Sequence, residues 1–389
     1  MSISSSIGSL LEKAAILGDA ELLYSSPAVI LNSRQSKTPV GNDPWVKSTI
    51  AAAEYCAEKR FPVIVSTGMN TWELALWAVC ENGGKAIVIA PLNDNSIPSE
   101  TVKHIAEDFR LCPSEHAWIL CGTSRKSGSE KEWWNERDNL AFELADILIP
   151  VSIRDGGRWD EILGRKRIDQ ELSIQFGTEY RPRSKDRCGL EIPPHCFKAD
   201  PWPYITHWTC RAYGPWPGES SRDFYRAISL SGDEYPRSAE RTLVRILEEG
   251  LIRGSGRRIR GGCPVVSFTA LAPSDAMPLM RWRKRYCRPT FEPYGIAIHA
   301  RSVEKLGIRQ VTYIKSGLEA DGVEPEMTQG YGTGDWPSEA EWRAIGDVDI
   351  KTIPPEDVLV LAPSSELARD LRGKIRYPVH ALCEPLAAV

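Results

Sequence analysis

The chain has 389 residues, with 48 Lys and Arg against 52 Asp and Glu for a formal charge of −4. That length predicts more than one domain, and the charge excludes the overall basicity that marks a dedicated nucleic-acid binder. Ten cysteines are scattered without a Cys-x-x-Cys pair, and no apolar run approaches a membrane span, so disulfide-scaffold and membrane classes are excluded.

In chain order, the first residues carry charges at Glu12, Lys13, Asp19 and Glu21 that interrupt a signal-peptide core, so a cytoplasmic protein with reduced, buried thiols is expected. Short continuous apolar runs follow at 27–31, 62–66, 85–90, 117–121 and 146–151. Such runs suit strands covered on both faces. Helical spacing of apolar residues lies between them at 45–60, 71–82 and 134–145. The alternation predicts a Rossmann-like, doubly wound parallel sheet over 1–170. Residues 171–203 are rich in Pro, Arg and Lys and read as a linker. Beyond it, 204–389 is expected to form a separate α+β domain, with a helix at 238–249 and strands at 264–269, 294–300, 311–314 and 357–362.

In an open α/β sheet, ligands sit at the C-terminal ends of strands, where helix N-termini offer free backbone N–H groups to anions. The first run empties into Asn32-Ser33-Arg34-Gln35, and the second into Ser66-Thr67-Gly68-Met69-Asn70. These loops are candidate phosphate sites, with Arg34 as a bidentate partner. The same residue types also serve as ordinary turns and caps.

The order of these loops, with Gly83-Gly84-Lys-Ala-Ile-Val-Ile, Arg137-Asp-Asn139 and Asp155-Gly156-Gly157, resembles the DNA-processing protein A family over about 25–165. That fold belongs to the SLOG superfamily shared with lysine-decarboxylase-like proteins. The resemblance implies a domain binding a nucleotide or single-stranded nucleic acid through Ser33, Arg34, Ser66, Thr67, Gly68, Asn70, Arg137, Asn139, Gly156 and Gly157. The family's Gly before Ser-Arg is Asn32 here, and its Ser-Gly loop is Asp155-Gly-Gly. The Pro-Gly-Gly-x-Gly-Thr motif of the phosphoribohydrolase branch is absent, so that hydrolysis is not implied.

The second region holds, in order, His207-Trp-Thr209, the helix with Leu243-Val-Arg-Ile-Leu, Gly250-Leu-Ile, Ser267-Phe-Thr269 and Glu339-Ala-Glu341-Trp-Arg343. Over about 204–362 this set resembles ADP-ribosyltransferase-like toxin domains, including DNA-modifying and abortive-infection members. The resemblance implies NAD as substrate. It places Glu341 and His207 in the reaction, with Thr209 beside His207 at the adenosine-side ribose and Ser267 and Thr269 at the nicotinamide half. Breaking the nicotinamide–ribose bond builds an oxocarbenium-like state that a carboxylate stabilises. Glu339 lies two residues from Glu341, which on a strand puts both on one face, and Arg343 is expected to pair with a carboxylate. An exposed charge pair would have the same sequence.

Segment 253–288 carries nine Arg and Lys against Asp275 alone, with Trp282 and Tyr286 among them. Arg260 and its neighbours are candidates for a pyrophosphate or a nucleic-acid groove. Cys188, His195, Cys196, His207 and Cys210 lack paired zinc spacing, so no metal is expected. The expectation is a NAD-consuming transferase coupled to a nucleotide- or DNA-sensing domain in bacterial anti-phage defence, with a nucleic acid or protein as acceptor. The alternatives are a non-catalytic DNA- or nucleotide-binding protein and the regulatory half of an abortive-infection pair. A homo-oligomer is compatible with either.

Overall fold

A computed structural model describes residues 14–93, 96–123, 130–165, 169–181, 192–193, 195–256, 259–283, 288–315, 322–331 and 337–385. Arg257, Arg258, Lys284, Arg285, Tyr286, Cys188 and residues 182–191 and 194 of the expected linker lie outside the described residues. The chain forms two compact units, one of 1–183 with 218–236 and one of 184–217 with 237–389. This division differs from the expected 1–170, 171–203 and 204–389. The supposed linker begins with a helix, Gln170–Phe176, that buries Leu172 and Phe176. A later stretch, 218–236, returns to the first unit.

The first unit holds strands β1 (Ala14–Gly18), β2 (Ala28–Asn32), β3 (Val63–Ser66), β4 (Ala86–Asn93), β5 (Ala117–Thr123) and β6 (Ile147–Ser152). They form one sheet in the order β1-β5-β4-β3-β2-β6, parallel throughout except for β1. Its helices are α1 (Pro44–Lys59), α2 (Asn70–Glu81), α3 (Pro98–Phe109), α4 (Glu130–Leu144), α5 (Arg158–Leu163), α6 (Gln170–Phe176) and α7 (Ser221–Leu230). Alternate residues of each strand feed two cores. Ala28, Ile30, Val63, Val65 and Val88 pack with α1, α2 and α7, whereas Val29, Leu31, Ile64, Ile87 and Ile119 pack with α4 and α5. A pleated strand sends successive side chains to opposite faces, so a sheet covered on both sides needs apolar residues without interruption. This is the doubly wound parallel sheet expected. Strand β1 and helix α3 are additional to the predicted elements.

Helix α7 closes the first unit. Phe224, Tyr225 and Ile228 join the core facing α2 and α3. The Ser221 amide donates to Asp108, Arg222 pairs with Glu81, and Arg110 pairs with Asp223. Just beyond the helix, the Gly41 amide donates to the Ser231 hydroxyl and the Asn42 amide to the Gly232 carbonyl.

The second unit holds strands β7 (Tyr204–Trp208), β8 (Val265–Thr269), β9 (Trp282–Arg283), β10 (Arg288–Pro289), β11 (Gly295–His299), β12 (Arg309–Gln310), β13 (Glu341–Ile345), β14 (Val358–Ala362) and β15 (Val379–Ala381). Seven form a sheet ordered β12-β13-β8-β7-β11-β14-β15, antiparallel except for the last pair. Helix α8 (Ala239–Glu249), capped by the Ser238 hydroxyl and stopped by Gly250 at φ 64°, packs Leu243, Ile246 and Leu247 on this sheet. This is the separate α+β domain. The strand predicted at 311–314 is 312–315, which pairs with 328–331 apart from the main sheet.

All cysteines among the described residues are free, but Cys112 and Cys383 are exposed rather than buried as expected. Burial pushes the Cys56 thiol up to about 12. No helix among the described residues is long and apolar enough to cross a membrane.

Candidate active site in the second unit

The second unit contains a cleft of about 1100 Å³ along β7, β8 and β13. Sheet order explains why residues far apart in sequence meet there: β8 lies between β7 and β13. In the β8–β13 register, Ser267 faces Arg343 and Thr269 faces Glu341. Diagonal neighbours across such a ladder are within side-chain reach. Accordingly, the Ser267 hydroxyl donates to Glu341 Oε1 at 3.0 Å.

Glu341 is held from its other side by Arg343, whose Nε donates to Oε1 at 2.8 Å and Nη2 to Oε2 at 3.1 Å. Arg343 is buried, and it also donates to the carbonyls of Glu326 and Thr328 and to Gln329 Oε1. A planar guanidinium with this many acceptors fixes the carboxylate in one orientation. The predicted Arg343 ion pair is therefore present, with Glu341 as its carboxylate.

His207 on β7 places Nδ1 2.9 Å from the Ser267 carbonyl. A carbonyl only accepts, so a neutral ring carries its proton on Nδ1 and leaves Nε2 as an acceptor. Burial lowers the His207 pKa, opposed by the hydrogen bond to Ser267, which favours the neutral ring.

Three expectations are changed by the geometry. Glu339 and Glu341 do not share a strand: Glu339 ends a 3-10 turn, Ala340 takes φ 43°, and β13 begins at Glu341. Both still line the cleft, where Glu339 accepts from Arg283 Nη2 at 3.0 Å. Burial raises the Glu339 pKa, chiefly against the attraction of Arg283. Thr209 and Thr269 are buried, and their hydroxyls donate to the carbonyls of Ala239 and Glu339. They support the cleft wall, so Thr209 does not present its hydroxyl for the adenosine-side ribose, nor Thr269 for the nicotinamide half. Arg260 is exposed on a 3-10 turn and does not line the cleft.

Arg211 and Glu292 were not singled out by sequence reasoning. Arg211 donates from its backbone and side chain to the buried Glu292 carboxylate, at 2.8 Å and 3.0 Å to Oε1. The one available signal was a Glu set between Phe291 and Pro293. Trp216 carries Arg237 at 4.0 Å and Arg245 at 4.8 Å from its ring centroid.

In the first unit, the loops after β2 and β6 meet where the strand order reverses. The Arg154 amide donates to the Ser33 hydroxyl and the Ser33 amide to the Ser152 carbonyl. Arg34, Gly156 and Asn139 are exposed, and Gly157 caps α5. Asn32 and Gln35, both buried, leave Oδ1 and Nε2 without hydrogen-bond partners among the described residues. Other predicted residues are occupied internally. The Gly68 amide donates to Glu73 Oε1 at 2.7 Å, Asn70 donates to the Ser36 carbonyl, and Asn139 accepts from Arg158. Arg137 is buried against Asp138 and over Trp72, so it serves the core. Ser66 is buried at the end of β3, and Thr67 is half-buried.

No family model matches the chain, and no curated protein matches it. Among solved structures, the chain is similar to DNA processing protein A from Helicobacter pylori, whose description concerns its single-stranded DNA binding mode. The identity is 15%, the match covers 42% of this chain and 80% of that one, and the TM-score is 0.29. It is also similar to DNA processing protein A from Streptococcus pneumoniae at 14% identity and TM-score 0.29, covering 42% of this chain. The match takes in 52% of the Streptococcus protein, about half its length.

Proposed function

We propose that the second unit is a NAD-consuming ADP-ribosyltransferase. The observation that carries this reading is the hydrogen-bonded row across three neighbouring strands: His207 to the Ser267 carbonyl, the Ser267 hydroxyl to Glu341, and Glu341 to Arg343, all along one cleft. In the reaction, the bond between ribose C1′ and the nicotinamide nitrogen breaks, and its electron pair leaves with nicotinamide. A preoriented carboxylate at Glu341 stabilises the positive charge left on the ribosyl carbon. An acceptor nucleophile then bonds to that carbon and gives up its proton, a transfer that Glu339 suits because burial makes it a stronger base. His207 Nε2 accepts a hydrogen bond from a substrate hydroxyl. Purified full-length protein is incubated with NAD, with and without single-stranded DNA or a protein acceptor, and nicotinamide release is followed. Release that disappears in a folded Glu341→Gln variant is expected. Equal release from the variant, or none from the wild type under any of these conditions, would overturn the reading.

A second reading concerns the first unit. The unpartnered Asn32 Oδ1 and Gln35 Nε2 beside the exposed Arg34 favour a nucleotide or single-stranded nucleic acid there. Binding of a labelled oligonucleotide that weakens in Arg34→Gln tests it, and unchanged binding would refute it.

A further inference from the structure

The short antiparallel pair β9–β10 sets Arg283 directly opposite Arg288, and both line the cleft of the second unit. Like charges directly opposite on a ladder repel, so this placement calls for an anion. Arg283 has one: it donates to Glu339 at 3.0 Å and is steadied by the Thr290 hydroxyl at 3.0 Å. The other well-buried arginines of the wall are matched in the same way, Arg211 to Glu292 and Arg343 to Glu341. Arg288, half-buried, makes no hydrogen bond or ion pair among the described residues. A half-buried guanidinium with open donors, aligned by a neighbour that is already neutralised, is suited to a group with several anionic oxygens.

We propose that Arg288 forms an anion subsite of the cleft that binds a phosphate group of the substrate or of its acceptor. The identity of that phosphate rests on the transferase reading, but the subsite does not. Two sources share the chemistry, the diphosphate of a dinucleotide and the backbone of a nucleic-acid acceptor. Arg283 keeps Glu339 in place, and Arg288 fixes the phosphate beside it. This division of labour brings a phosphorylated ligand to the end of the cleft that holds both carboxylates.

Calorimetric titrations of full-length wild type, Arg288→Gln and Arg288→Lys use three probes: inorganic pyrophosphate, ADP-ribose and a short single-stranded oligodeoxynucleotide. Nicotinamide release is measured on the same preparations, and melting curves check folding. The Gln variant is expected to bind pyrophosphate and at least one other probe about tenfold more weakly, as for loss of a charge-assisted hydrogen bond. The Lys variant is expected to recover part of that loss. Weakening of ADP-ribose alone alongside pyrophosphate assigns the dinucleotide diphosphate, and weakening of the oligonucleotide alone alongside pyrophosphate assigns the acceptor backbone. Wild type that binds none of the probes at millimolar concentration, or a Gln variant indistinguishable from it on all three, overturns the subsite. Weakened pyrophosphate binding without nicotinamide release by the wild type keeps the subsite and removes the transferase reading. Release with unaltered binding does the reverse.

Discussion

Replacing Arg343 with Met tests how Glu341 is held. The Arg343 side chain is 3% exposed and that of Glu341 15%, so the variant leaves a largely buried carboxylate with the Ser267 hydroxyl as its described partner. It also removes the donors that satisfy the carbonyls of Glu326 and Thr328. Breaking a buried pair by removing one partner costs about 3–5 kcal/mol, and the residual exposure of Glu341 argues for the lower end. For a unit of this size that is a fall of about 6–12 °C in its melting temperature. The assay is urea unfolding fitted to separate transitions for the two units, since a single two-state fit does not suit such a chain. Adding Glu341→Gln removes the unpaired charge, so the double variant should be less destabilised than the sum of the singles, with a coupling of about 1.5–3 kcal/mol. An Arg343→Met protein within about 1 kcal/mol of wild type, or strictly additive variants, would refute the clamp.

Two further outcomes depend on pH. Glu73 accepts hydrogen bonds from the Gly68 amide and Tyr225, yet burial raises its pKa above the ordinary carboxylate value. Across the window between the ordinary and the raised value the folded protein binds more protons than the unfolded chain, so stability falls as pH rises through it. Glu73→Gln should flatten that fall in urea melts at a series of pH values, and an unchanged slope would exclude Glu73 as its source. His207 has the opposite displacement, a pKa lowered by burial. If its neutral ring accepts from substrate, nicotinamide release should stay level through the ordinary histidine range near pH 6.5 and decline only below it. A decline centred at or above the ordinary value would contradict that role.

Much of the fold was legible because its physics is local. The centres of β2 to β6 are covered on both faces, and such a stretch has to be largely apolar, with polar residues such as Asn32, Ser66 and Ser152 only at the strand ends. β1 is an edge strand with exposed Ile16, and α3 buries chiefly Val102, Ala106 and Phe109, so both carry thinner patterns. The order of His207, Ser267 and Glu341 was readable in one dimension, whereas their meeting depends on β8 lying between β7 and β13. Which hydroxyls remain open was not readable, because the carbonyls that take Thr209 and Thr269 come from residues 239 and 339. Nor was the Arg211–Glu292 pair, whose partners lie 81 residues apart. The turn at Ala340 that separates Glu339 from the strand has no glycine to announce it.

The return of residues 218–236 to the first unit has a consequence for how the chain is made. When synthesis reaches residue 183, Phe224, Tyr225 and Ile228 of the first core do not yet exist. At about 5–20 residues per second, several seconds pass before α7 emerges, during which its apolar seat stands open and β7 of the other unit leaves the ribosome ahead of it. The first unit must therefore hold an unfinished surface while its neighbour begins to fold. A gene cut at residue 183 makes that waiting state permanent, so neither unit is portable as a plain stretch of sequence.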